Sequence, residues 1–136
     1  MVHGVLEFHL DRRAGPPPYQ QLFTQVEQAV RLGILAPGDQ LPTAKSVVAA
    51  LGINPNTVLK AYRELEHAGV VEMRAGVGTF VLASAPRAAV VEHPRLRTRL
   101  ATWMLAAQQA GLAPGDVRAL FEATVTDTYG RGERSA

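Results

Sequence analysis

The run Leu51-Gly52-Ile53-Asn54-Pro55 constrains this chain more than any other stretch, because it ends one helix and starts another within five residues. Gly52 permits the positive-φ turn that closes a helix over residues 44–51. Ile53 is apolar and can plug the gap between two helices. Asn54 suits an N-cap, and Pro55 suits the first helical position, where no backbone N–H is needed. From there Val58, Ala61, Tyr62 and Leu65 recur at helical spacing and predict a core-facing stripe. Asn56, Thr57, Lys60 and Arg63 fall on other faces, so the second helix opens with an exposed polar turn.

Gly69 closes that helix. Val70–Arg74 and Thr79–Leu82 then read as two short strands around the hairpin tip Ala75-Gly76-Val77-Gly78. A short helix, a tight turn, a longer helix and a Gly-bearing hairpin form the element order of a winged helix-turn-helix. Helical pairs joined by a Gly turn also occur as plain core-forming hairpins. The combination of cap, polar leading turn, closing Gly and two-Gly hairpin favours a DNA reader.

Residues 19–82 resemble the DNA-binding domain of the GntR family of bacterial transcription regulators. The resemblance is carried by Gly33, Pro37-Gly38-Asp39, Leu41-Pro42-Thr43, Leu51-Gly52-Ile53-Asn54 and Asn56-Thr57-Val58. It continues through Ala61-Tyr62-Arg63-Glu64-Leu65, Gly69, Gly76 and Gly78-Thr79-Phe80-Val81. The Asn-Pro-Asn-Thr-Val run and the short remainder look most like the YtrA-type subfamily. Two positions depart from the family pattern. Lys45 stands where the family usually has Arg, which removes the planar fork needed for a bidentate guanine contact. Ala75 and Val77 stand where basic residues often flank the wing glycines, leaving Arg74 as the nearby cation.

The resemblance implies a dimeric repressor of a palindromic double-stranded operator, controlling a transporter-type operon or its own. The expected contacts on DNA are Thr43, Lys45, Asn54, Pro55, Asn56, Thr57, Lys60, Arg63 and Arg74, with Gly76 and Gly78 bringing the wing close to the minor groove. An enzyme-linked relative would need an aminotransferase-like domain and a cofactor lysine, which a chain of 136 residues is expected to lack. A winged helix used only for protein interaction is the competing reading. It would tolerate changes at Asn56 and Lys60.

Charge neither proves nor forbids DNA binding. The whole chain carries a net +2. Over residues 19–83, however, five bases (Arg31, Lys45, Lys60, Arg63, Arg74) meet five acids (Glu27, Asp39, Glu64, Glu66, Glu72). A positive face must therefore come from placement. The chain has no cysteine, so disulfides and thiol switches are excluded. Neither a signal peptide nor a run long enough for a membrane span is read, so the chain is expected in the cytoplasm. His3 and His9 share a side of an extended segment, but no third ligand accompanies them, and no metal or cofactor is expected.

Around the central stretch, residues 5–10 alternate apolar and polar and predict a short strand or arm laid on the core. Residues 11–18 form a polar connector. Arg12 and Arg13 within it read as a solvated pair. Residues 19–32 predict a scaffold helix. The pentapeptide Leu-Ala-Pro-Gly-Asp occurs at 35–39 and again at 112–116, leading into a turn and extended segment in the first copy and a helix in the second.

The expected organisation is a winged domain with its arm over 1–83, a linker over 84–93, a two-helix dimerisation tail over 94–130 and disorder over 131–136. The fold is thus mainly α with a small β-wing. In the tail, Leu96, Leu100, Trp103, Met104 and Ala107, with Leu120 and Phe121, form more apolar surface than two helices can bury. A second copy is the expected cover, with packing of Trp103 on the chain's own winged domain as the alternative. The basic residues Arg87, Arg95, Arg97 and Arg99 read as a solvated face by default, with phosphates flanking the half-site as the alternative. The tail is too short to enclose a ligand pocket of its own, so any small-molecule effector is expected at an interface.

Overall fold

Leu22, Val26, Ala29 and Val30 recur at three- and four-residue spacing, and they are the buried face of the first helix. The computed structural model describes residues 6–13 and 15–134. Its order is α1 (Pro18–Arg31), α2 (Ala44–Leu51), α3 (Pro55–His67), β1 (Val71–Arg74), β2 (Gly78–Val81), a 3₁₀ turn (Ala89–Glu92), α4 (Pro94–Gln109) and α5 (Pro114–Arg134). His3 and Val5 lie outside the described residues, as do Ser135 and Ala136.

Local chemistry explains the joints. The Thr43 hydroxyl accepts the Ser46 N–H at 3.1 Å and starts α2. Gly52 then takes φ 66°, and its N–H closes α2 on the Val48 carbonyl at 2.8 Å. Asn54 caps α3 by accepting the Asn56 N–H at 2.8 Å, with Pro55 in the first turn. Ile53 is half-buried against the core, filling the space predicted for it.

β1 and β2 pair antiparallel with Val71 opposite Val81 and Arg74 opposite Gly78. Residues 38–41 lie along the free edge of β2, where Leu41 N–H donates to Thr79 O at 2.8 Å and Val81 N–H to Asp39 O at 2.9 Å. Glu66 of α3 accepts the Met73 N–H at 2.7 Å, fixing the hairpin to the helix before it. The buried core draws on all of these pieces: Leu22 and Val26, Leu35 and Leu41, Val58 and Leu65, Val71 and Val81.

The two pentapeptide copies make the same local bond. Ala36 N–H donates to Asp39 Oδ2 at 2.8 Å, and Ala113 N–H to Asp116 Oδ2 at 3.2 Å. The residues after each copy decide the outcome. Pro42 lies just beyond the segment paired with β2, whereas Val117 onward continues as α5.

Of the two forms expected for residues 6–10, strand or arm, the arm is the one present. Leu6, Phe8 and Leu10 do lie half-buried on the core, but the arm is held by side chains. Gln25 accepts the His9 N–H at 2.9 Å and donates to the His9 carbonyl at 2.6 Å. Gln21 does the same for Asp11, at 2.9 Å each way. Two glutamines one helical turn apart thus supply the donor–acceptor pairs a neighbouring strand would have given.

The expected linker is also structured. Ala85 is buried, Ala88 N–H donates to Arg31 O at 2.9 Å, and Val91 packs against Gly33. The first compact unit accordingly runs to Glu92, and the second starts at His93. The last helix, α5, runs from Pro114 through Arg134.

Candidate nucleic-acid interface

Val58, Ala61, Tyr62 and Leu65 turn inward on α3, which leaves Asn56, Lys60 and Arg63 exposed on another face, with Thr57 half-buried beside them. Buried Tyr62 fixes this helix from behind, its hydroxyl donating to the Pro42 carbonyl at 2.5 Å. Burial raises the Tyr62 phenol above its ordinary pKa, so it stays a neutral donor. The bond joins α3 to the segment that leads into α2.

The residues expected to touch DNA divide by what already engages them. The side-chain oxygens of Asn54 and Thr43 both cap helices. Pro55 is exposed at the start of α3, and Lys45 is exposed in the first turn of α2. Of the three remaining cations, Arg63 is exposed, and Lys60 and Arg74 have partners. The Lys60 ammonium lies 3.9 Å from the ring centre of Tyr19. Arg74 pairs with Glu72 at 3.2 Å and lies 5.0 Å over the Phe80 ring. Both members of that pair are about half exposed, so it adds little stability, but it offsets the wing's nearby positive charge.

Gly78 has a fold reason of its own. A Cβ there would collide with the Gln40 side-chain amide, and its φ is 145°, a region that side chains avoid. Gly76 takes φ 72° in the same tip, and Val77 between them is 64% exposed.

Arg12 is not simply solvated. Its guanidinium donates to the Leu51 carbonyl at 3.0 Å, at the C-terminal end of α2. Tyr19, Gln21, Gln25, Gln40, Glu66 and Glu72 shape this region without having been singled out in the sequence. The Gln21–Gln25 spacing and the alternate-residue pair Glu72–Arg74 were the available signals.

In the second unit, Leu96, Leu100, Trp103, Met104, Leu105, Leu120 and Phe121 are all at least 40% exposed. Ala107 differs from the others expected in that set: it is 6% exposed, already covered within the unit. An open groove of about 620 Å³ is lined by Met104, Leu105, Leu112 and Val117 among others. Arg95, Arg97 and Arg99 are exposed. Among the described residues, no helix is long and apolar enough to cross a membrane, and no group of three or more His, Cys, Asp or Glu could hold a metal.

Most of the first unit is similar to known proteins. Residues 18–81 match the family model described as bacterial regulatory proteins, gntR family. This segment is a GntR-family domain. The chain is 50% identical over 72 residues to the HTH-type transcriptional regulator Rv1152 of Mycobacterium tuberculosis, covering 53% of this chain and 60% of that protein. It is 40% identical over 76 residues to the HTH-type transcriptional repressor YtrA of Bacillus subtilis, covering 56% of this chain and 58% of that one. The matches thus span about three fifths of these relatives' length.

Among solved structures, a transcriptional antiterminator from Listeria monocytogenes aligns over 91% of this chain and 93% of its own, with a TM-score of 0.57 and 26% identity. The AraR DNA-binding domain, solved in complex with operator ORX1, aligns over 58% of this chain and 99% of its own, with a TM-score of 0.50 and 26% identity. The winged arrangement of the GntR-family domain is therefore shared with these proteins.

Proposed function

We propose that this chain is a homodimeric transcriptional repressor that binds a palindromic double-stranded operator in the cytoplasm, controlling its own or a transporter-type operon. The observation that carries this reading is the exposed face of α3. Asn56, Lys60 and Arg63, with Thr57 beside them, project from a helix capped by Asn54 and backed by an apolar core. Such a helix fits the major groove, where amide and hydroxyl side chains can bond base edges. The likeness to a DNA-binding domain solved on its operator supports it, as does the likeness to a named repressor.

In this reading α3 enters the major groove, Asn56 and Thr57 read bases, and Lys45 and Arg63 meet phosphates. Gly76 and Gly78 keep the wing tip free of bulk. The capping roles of Thr43 and Asn54 make their contribution one of placing the two helices. The exposed apolar side chains of α4 and α5 support pairing with a second copy, since such a surface is unfavourable in water.

The test is selection of duplexes from a random-sequence pool by the purified chain. An enriched inverted repeat, with half-site centres about 34 Å apart, is the expected result. A second reading, a protein-interaction module, is favoured by the Glu72–Arg74 pair and by exposed Val77 at the wing tip. Under that reading no duplex is enriched.

A further inference from the structure

Lys60 belongs to the outward stripe of α3, yet its stem runs toward α1. Its ammonium nitrogen sits 3.9 Å from the ring centre of Tyr19, the second residue of that helix. The ring is a stiff platform. It follows Pro16-Pro17-Pro18, whose φ angles are fixed, and Gln21 Nε2 donates to the Pro16 carbonyl at 2.9 Å. With its ammonium on the Tyr19 ring the side chain is directed toward α1, and extension to a base edge would require that contact to break.

The kind of partner matters as much as the direction. An aromatic face attracts the ammonium through its quadrupole but offers no strong hydrogen-bond acceptor, so the N–H donors stay available to an anion. A carboxylate partner would have offset the charge, as Glu72 does for Arg74. Lys60 has no ion pair among the described residues, although Glu64 lies one turn further along the same helix.

Given the operator-binding reading, we infer that Lys60 is a backbone-phosphate contact positioned by Tyr19, and not a reader of bases. Sequence discrimination by α3 then rests on Asn56 and Thr57. Tyr19 acts through Lys60.

The experiment is a double-mutant cycle on the full chain, using Tyr19→Leu, Tyr19→Phe, Lys60→Ala and Tyr19→Leu/Lys60→Ala. Each is titrated over a range of salt on two probes: the duplex selected by the wild type and an alternating-sequence duplex of equal length. Lys60→Ala is expected to weaken both probes by the same factor. It should lower the slope of log affinity against log salt by about 1 and leave base preferences unchanged. Tyr19→Leu is expected to weaken binding by about two- to fivefold when Lys60 is present and not at all when it is absent. Tyr19→Phe keeps the ring and should keep wild-type affinity.

Loss of preference at one base pair in Lys60→Ala, with the salt slope intact, would overturn the assignment. So would losses from Tyr19→Leu and Lys60→Ala that simply multiply, or a Tyr19→Phe loss equal to that of Tyr19→Leu. Should Tyr19→Leu fail to fold in a thermal melt, the salt slope of the surface variant Lys60→Ala still decides the phosphate claim. A wild type that enriches no duplex overturns the operator reading and this assignment together. An enriched duplex with any of the contrary results overturns this assignment alone.

Discussion

At the residue scale, Tyr62 shows how one buried polar atom holds the recognition element. Its hydroxyl donates to Pro42 O, while its ring lies in the core among Val58, Ala61 and Leu65. Tyr62→Phe keeps the ring and leaves that carbonyl without its donor, so thermal or urea melts should show a loss of about 1 kcal/mol at neutral pH. The pH dependence has a definite sign. The folded protein holds the phenol neutral above its ordinary value of 10.0. The unfolded chain therefore releases its proton first, and stability from this group is full below that pH and declines above it. Phe cannot ionise, so the gap between the two proteins should narrow as pH rises beyond about 10. A gap that stays constant across that range would show that the phenol is not held neutral by the fold.

At the element scale, the two glutamines of α1 make a testable claim about the arm. Gln21→Ala and Gln25→Ala each remove reciprocal bonds to the arm backbone, worth about 0.5–1.5 kcal/mol per bond at most in this exposed setting. Amide exchange should accelerate at Asp11 in the first variant and at His9 in the second, with α1 itself unchanged. Unchanged exchange at both amides would mean that Leu6, Phe8 and Leu10 hold the arm unaided. These elements also show what the sequence can and cannot reveal. The joint Gly52-Ile53-Asn54-Pro55 was legible because turn, plug, cap and first helical turn depend on neighbouring residues alone. The way the arm is held was not, because its partners are side chains ten and sixteen residues away. Residues 84–93 read as a linker by composition, yet the bond from Ala88 to Arg31 and the packing of Val91 on Gly33 are long-range facts. Within the candidate interface, the exposed stripe on α3 followed from helical spacing. The partners of Lys60 and Arg74 did not, since each depends on where a ring or carboxylate is carried by the fold.

For the whole molecule, the two units pose different physical problems. The winged unit buries a full core from α1, α3 and the hairpin, and its formal charges balance, so its face for DNA depends on placement. The helical unit leaves Trp103, Leu100 and Phe121 more than 40% exposed, a surface that a second copy would cover. Trp103→Ala should weaken self-association by about 2 kcal/mol or more, since large aromatics dominate such interfaces. Sedimentation equilibrium would register this as a rise in the dimer dissociation constant, and an unchanged constant would remove Trp103 from the interface. Whether the leading turn of α3 reads DNA sequence is decided by one titration. Wild type and Asn56→Ala are compared on the selected duplex and on a scrambled duplex, at two salt concentrations. Asn56→Ala is expected to lose about 1–3 kcal/mol on the selected duplex and almost nothing on the scrambled one. Equal losses on both duplexes, or none on either, would contradict it.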